Sequence, residues 1–215
     1  MLEDARNEQQ VGVRLGHLLH AGALLLASED DAPYAVQILE EARGLSPENV
    51  DGIVLLARGY SMTGRGTEAM TLLGDLVAAN RGRRMPELAP VYQEMSRLQL
   101  QEGLLDDALG SLTRAFEMDM KNPRIALELG QLALDLDHEE IAARAYRSVT
   151  MLRPGADGEP ADMGHAMRAH AQFQLALIAR NKGDARRARL LVTKALTDNP
   201  DHPQAQALLA ELDAG

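Results

Sequence analysis

Five alanines, Ala35, Ala69, Ala108, Ala142 and Ala188, mark a recurring unit, and that recurrence constrains the fold of this chain more than any other feature. Their spacings are 34, 39, 34 and 46 residues, so the two long intervals equal the short one plus inserts of 5 and 12. The units then span 16–49, 50–83, 89–122, 123–156 and 169–202. Four residues after each marker stands Leu39, Leu73, Leu112, Tyr146 or Val192, and seven after it Ala42, Leu76, Ala115, Val149 or Ala195. That spacing is one apolar face of a helix.

Twelve residues before each marker a small residue recurs, Ala23, Ala57, Ser96, Gly130 or Ala176, where a second helix can approach closely. Five residues before it come Asp30, Gly64, Gly103, Asp137 and Gly183, types that end helices or adopt turn conformations at little cost. Each unit therefore reads as helix, short turn, helix. Pro47, Pro154 and Pro200 follow the second helix in three units, where Arg81 and Met120 stand in the others.

The rest of the composition agrees. The 215 residues are 46% hydrophobic and 25% charged, enough to bury a core, and their six aromatics are Tyr34, Tyr60, Tyr92, Phe116, Tyr146 and Phe173. Such a balance favours close-packed helices over sheets. The class is all-α. A net charge of −10 argues against nucleic acid and acidic membrane surfaces as partners. Without cysteine there is no disulfide, thiolate nucleophile or cysteine-based zinc site. No stretch has the length of a membrane span, and Met1–Gln10 is charged where a secretory signal would be apolar. The cytoplasm is the expected compartment, with the periplasm left open.

These residues resemble the tetratricopeptide pattern: small at the eighth place, Ala at the twentieth, a bulky group at the twenty-fourth, small at the twenty-seventh and Pro at the thirty-second. The unit 169–202 matches best, with Ala176, Gly183, Asp184, Ala188, Ala195 and Pro200 in place. Departures are the fourth place, where Leu19, Ile53, Tyr92, Ala126 and Gln172 replace Trp, and the seventh, where Gly22 replaces Leu. The resemblance implies a single domain, a right-handed superhelical solenoid of five repeats. Residues 1–15 would extend the first helix or supply half of a preceding pair, and 203–215 would form a closing helix with Leu208, Leu209 and Leu212 inward. The insert Arg84–Leu88 would lengthen a turn. The insert 157–168, with Gly158, Pro160 and Gly164, reads as an exposed loop leading into an early helical extension.

Binding rather than catalysis is the implied function, and the partner groove is lined by the first helix of each repeat. The resemblance places there His17, His20 and Leu24; Val54, Arg58 and Ser61; Gln93, Arg97 and Leu100; Arg124, Leu127, Gln131 and Leu134; and His170, Phe173, Leu177 and Arg180. Arg58 and Arg97 occupy the same place in successive repeats and should project side by side, either to grip carboxylates of an acidic or amphipathic partner or to pair with Asp51 or Glu94. The clamp for acidic chaperone tails needs Lys and Asn at fixed places where this chain has His20 with Leu24, Val54 with Arg58 and Gln93 with Arg97, so that partner is not implied.

No catalytic motif, cofactor site or metal site is expected. Gly64-Arg65-Gly66-Thr67 lacks the lysine of a phosphate loop and sits at an interhelix turn, and His17 with His20 lacks a third ligand. Glu139–Glu140 and Asp106–Asp107 read as acids favoured at helix starts. The Arg- and Ala-rich, lysine-poor usage points to a bacterial source. Two further readings stay open at this point. One is a self-associating spacer or homo-oligomer; the other is a sensor domain of a longer protein, similar to tetratricopeptide modules of gliding bacteria that bind small Ras-like GTPases.

Overall fold

The structure, a computed structural model, describes residues 2–155 and 160–214, with side chains from Gln9 onward. It forms two compact units, Met1–Met118 and Asp119–Gly215. The first holds α1 (Leu2–Leu25), α2 (Ala32–Leu45), α3 (Val50–Met62), α4 (Gly66–Ala79), a 3-10 turn (Pro86–Leu88), α5 (Ala89–Gln101) and α6 (Leu105–Met118). The second holds α7 (Pro123–Asp135), α8 (Glu139–Val149), α9 (Ala161–Asn181), α10 (Ala185–Asp198) and α11 (Pro203–Ala214). No strand occurs among the described residues. Consecutive helices pair as α1 with α2, α3 with α4, α5 with α6, α7 with α8 and α9 with α10, and α11 packs on α10.

The turn inside four of the pairs is set by one residue with left-handed backbone: Gly64 (φ 77°), Gly103 (φ 73°), Asp137 (φ 61°) and Gly183 (φ 77°). The next residue then donates its N–H back to the helix just ended, Arg65 to Tyr60 O at 2.7 Å, Leu104 to Gln99 O at 2.8 Å, His138 to Ala133 O at 2.7 Å and Asp184 to Ala179 O at 2.9 Å. This six-to-one bond satisfies a carbonyl that the helix end would orphan. The starts of α3, α7 and α10 are capped by side chains: Asn49 accepts from Gly52 N at 2.8 Å, Asn122 from Arg124 N at 3.0 Å and Asp184 from Arg187 N at 3.0 Å.

The first pair differs. Asp30 does not take the left-handed conformation, α1 ends at Leu25, and six residues bridge to α2. The helix register slips by one in consequence. Gly22, not Ala23, faces Leu39: a Cβ on Gly22 would lie 2.6 Å from the Leu39 side chain, while Ala23 is exposed. Read this way, Gly22 fills the small eighth place and is no departure at the seventh.

All five marker alanines are fully buried. The first helices carry small residues on their packed faces: Ala57 and Ala176 are fully buried, Gly22 lies against Leu39, Ser96 Oγ donates to Ala108 O at 2.8 Å, and a Cβ on Gly130 would fall 2.6 Å from the Tyr146 ring. α1 is one helix from Leu2, so residues 2–15 continue directly into the first pair. Of the longer insert, 157–159 lie outside the described residues, and Ala161 to Arg168 form the first two turns of α9. Gly164 there lets α9 pass close to Pro154, whose Cα a Cβ would meet at 2.9 Å. At the far end Ala205 and Leu208 of α11 close a cluster with Phe173, Ala176, Val192 and Ala195, flanked by Leu209 and Leu212.

Candidate functional site

In the first unit the residues that matter sit on α3 and α5. Val54 is buried and contributes to the core, so it supports the face rather than contacting solvent. Ser61 Oγ donates to Gln101 Oε1 at 2.9 Å, tying the far ends of the two helices together. Arg58 and Arg97 do converge, and the point of convergence is Glu94. Arg58 Nη2 lies 3.2 Å from Glu94 Oε2, while Arg97 donates Nε at 2.9 Å and Nη2 at 2.5 Å to Glu94 Oε1.

The Glu94 side chain is 3% exposed, against 45% and 35% for Arg58 and Arg97. A nearly inaccessible carboxylate needs compensating charge, and here two guanidiniums supply it from adjacent first helices. Two cations on one anion leave one positive charge in excess, held at the surface with both arginines oriented from beneath. Around them stand half-buried Gln93 and exposed Leu100. On α1, His17, His20 and Leu24 are exposed, and the slipped register instead turns Leu19 towards Gly52 and Leu26 towards Gly59 of α3.

The second unit assembles its first-helix residues differently. Gln131 donates to Asp135 on its own helix at 2.8 Å, Leu127 and Leu134 are half-buried, and Arg124 lies 3.6 Å from Met163 Sδ. On α9 the residues are largely engaged. His170 packs edge-on to Tyr146, with ring centroids 6.2 Å apart, and Phe173 tilts against His202 of the α11 approach at 4.9 Å. Burial pushes the His170 pKa below its ordinary value, and nearby His202 adds to the effect. Leu177 packs against the closing cluster and Arg180 Nη1 reaches Glu211 at 3.3 Å.

Sequence reasoning named Glu94 as a possible partner but missed a second buried carboxylate, Asp198, whose side chain is 5% exposed. It accepts from His165 Nδ1 at 3.0 Å and from Arg168 Nε at 2.6 Å, with Arg168 Nη2 also bonded, while Arg168 Nη1 donates to Leu152 O at 3.3 Å. Burial alone would raise the Asp198 pKa; the hydrogen bonds from Arg168 and His165, and their charge, bring it below the ordinary value instead. No spacing announces this contact, because its members lie 30 and 33 residues apart. Among the described residues no group of three or more His, Asp or Glu side chains is arranged to hold a metal, and no helix is long and apolar enough to cross a membrane.

Residues 26–89 match the family pattern described as Tetratricopeptide repeat. No curated protein is a match in sequence. Solved structures share the fold. BtubC from P. vanneervenii superposes with a TM-score of 0.60 at 18% identity, covering 88% of this chain and 83% of that one. MamA gives 0.58 at 18% identity, covering 90% and 96%. YrrB, described as a TPR protein with an unusual peptide-binding site, gives 0.56 at 17% identity, covering 88% and 89%. The tetratricopeptide-repeat match thus covers residues 26–89, and the remaining described residues carry the same paired-helix architecture, an all-α helical-repeat fold.

Proposed function

We propose that this chain is a protein-binding module whose partner lies along the first helices of residues 1–118 and presents carboxylates to Arg58 and Arg97. The observation that carries this reading is the convergence of both arginines on buried Glu94. Pinning two long side chains from below removes conformational freedom that binding would otherwise have to restrict. The planar guanidinium fork keeps further donors for a second carboxylate. Exposed Leu100 and half-buried Gln93 give the same face an apolar and an amide contact, the mixture that suits an extended or helical segment rather than a small substrate. A peptide-binding site is described for YrrB, which has the same fold.

Selection of peptides from a random displayed library on the immobilised chain tests the reading. The selected ligands should be rich in Asp and Glu, weaken with salt, and shift amide resonances of Gln93, Arg97 and Leu100. Ligands without acidic residues, or resonance changes confined to other helices, would overturn it. Glutamine is the informative replacement for the arginines, because charge reversal at both would leave Glu94 buried between two further carboxylates and threaten the fold.

One observation favours a second reading, self-association through α1. Val13 is 54% and Leu24 63% exposed on a helix with one face uncovered. Light scattering across a concentration series distinguishes it: a mass that stays that of one chain removes this alternative.

A further inference from the structure

On the far side of α9 from its first-helix residues, the second unit has a trough of about 580 Å³ between α8, α9 and the start of α10. At about 100° per residue, Phe173, Leu177 and Arg180 fall on one side of α9, while Leu175, Ile178 and Lys182 fall on the opposite side. The trough is therefore a surface separate from the one on which the proposed function rests, and it lies wholly within residues 140–187.

Its lining has a consistent character. Ile141, Leu175 and Ile178 supply an aliphatic floor. Arg144, Arg147, Lys182 and Arg187 supply four cations, against Glu140 and Asp184. Asp184 already accepts from Arg187 N at the start of α10, and Arg147 Nε donates to Ala143 O at 2.8 Å, which lays its guanidinium along α8. Lys182 reaches Glu139 at 3.1 Å, but both side chains are substantially exposed, 54% and 37%, and such a pair is readily exchanged for a better one. A chain of net charge −10 thus concentrates positive charge around one concave surface.

We infer that this trough docks a short acidic segment of a partner protein, with carboxylates on Arg147, Lys182 and Arg187 and an aliphatic side chain over Ile141 and Ile178. Charge complementarity sets the sign of the partner, and the aliphatic floor decides its class. A phosphate backbone makes little use of Ile141, Leu175 and Ile178, whereas a peptide that alternates acidic and leucine residues satisfies both parts of the lining. The volume lies within the range of small-ligand pockets, which fits a few residues rather than a folded surface.

The experiment titrates the full chain with a labelled hexapeptide of alternating glutamate and leucine, following binding by fluorescence anisotropy and location by amide resonances. Saturable binding should shift the amides of Ile178, Ala179 and Lys182. It should weaken at least about tenfold in R147E/R187E, whose helical content and melting are checked in parallel, and persist in R58Q/R97Q. A serine-for-glutamate version of the peptide should not bind. The inference is overturned if binding is absent, if the shifts in the unmutated chain fall elsewhere, or if a thymidine oligonucleotide displaces the peptide and shifts the same amides more tightly. Because location is read on the unmutated chain, a variant that fails to fold does not rescue the idea. Loss in R58Q/R97Q alone would assign the peptide to the first-helix face instead and leave the earlier proposal standing.

Discussion

In the unit formed by residues 1–118 the buried carboxylate Glu94 is reached by arginines from two first helices, α3 and α5, whereas in the other unit Asp198 is reached by Arg168 and His165 from α9 alone. Both arrangements neutralise an acid that burial would otherwise penalise. They differ in what remains outside. Arg58 and Arg97 keep 45% and 35% of their side chains in solvent, while Arg168 keeps 25% and spends another donor on Leu152 O. The first is a surface with charge to offer. The second is a brace that ties the early turns of α9, contributed by the insert, to the end of α10. A buried carboxylate held by arginine is thus no guide to binding until the exposure of the arginine is known.

The comparison is tested most severely by removing one arginine from each. Arg168→Ala strips buried Asp198 of the guanidinium that contacts it and should cost about 3 kcal/mol of stability. Arg97→Ala leaves Arg58 on Glu94 and should cost only about 1 kcal/mol, the net worth of an ordinary hydrogen-bonded contact. Equal losses on chemical denaturation would break the distinction between brace and surface.

Packing provides the next contrast. Gly130→Val drives a side chain into the Tyr146 ring and should destabilise by about 2 kcal/mol. Gly110→Ala, with nothing within 4 Å, should instead stabilise α6 by about 0.5 kcal/mol. A Gly130 variant that melts like the parent would contradict the close approach of α7 and α8.

Acid sharpens the account of Asp198. Its folded-state pKa lies below the unfolded value of about 3.9, so its contribution is complete above that value and is lost as pH falls through the folded pKa. Melting curves between neutral pH and strongly acidic pH should therefore fall more steeply for the parent than for Asp198→Asn. Parallel curves would show that the brace carries no such linkage. A small effect is also expected at Asp137, which alone among the four left-handed turn residues is not glycine. Asp137→Gly should raise stability by up to about 1 kcal/mol, read from the melting temperature.

Much of the fold was legible in the sequence because repetition averages away local ambiguity. The marker alanines, the small eighth-place residues and the turn glycines each recur, so a single irregular unit does not hide the period. The first pair shows the limit. Asp30 stands at the right distance from Ala35, but whether it would adopt the left-handed turn depended on how α1 ends, and the one-residue slip to Gly22 leaves no mark in residue spacing. The candidate site was partly readable for a similar reason. Arg97 lies three residues after Glu94, a spacing that already implies a contact, and Arg58 follows from the repeat. Asp198 with Arg168 and His165 was not readable, since its partners come from an insert that breaks the repeat and lie about thirty residues away. Nor was the trough beside α8, which arises from faces that the tetratricopeptide pattern leaves unspecified.

The central claim, that Arg58 and Arg97 form the contact surface and Glu94 only orients them, reduces to one affinity comparison. An acidic peptide selected on the parent chain is measured at low ionic strength against R58Q/R97Q and against E94Q, with melting temperatures recorded for all three proteins. The account predicts at least about a tenfold loss of affinity in R58Q/R97Q and equal or tighter binding in E94Q, where neutralising the buried carboxylate leaves both guanidiniums to the peptide. Undiminished affinity in a folded R58Q/R97Q protein, or a loss in E94Q as large as in the double variant, would contradict it.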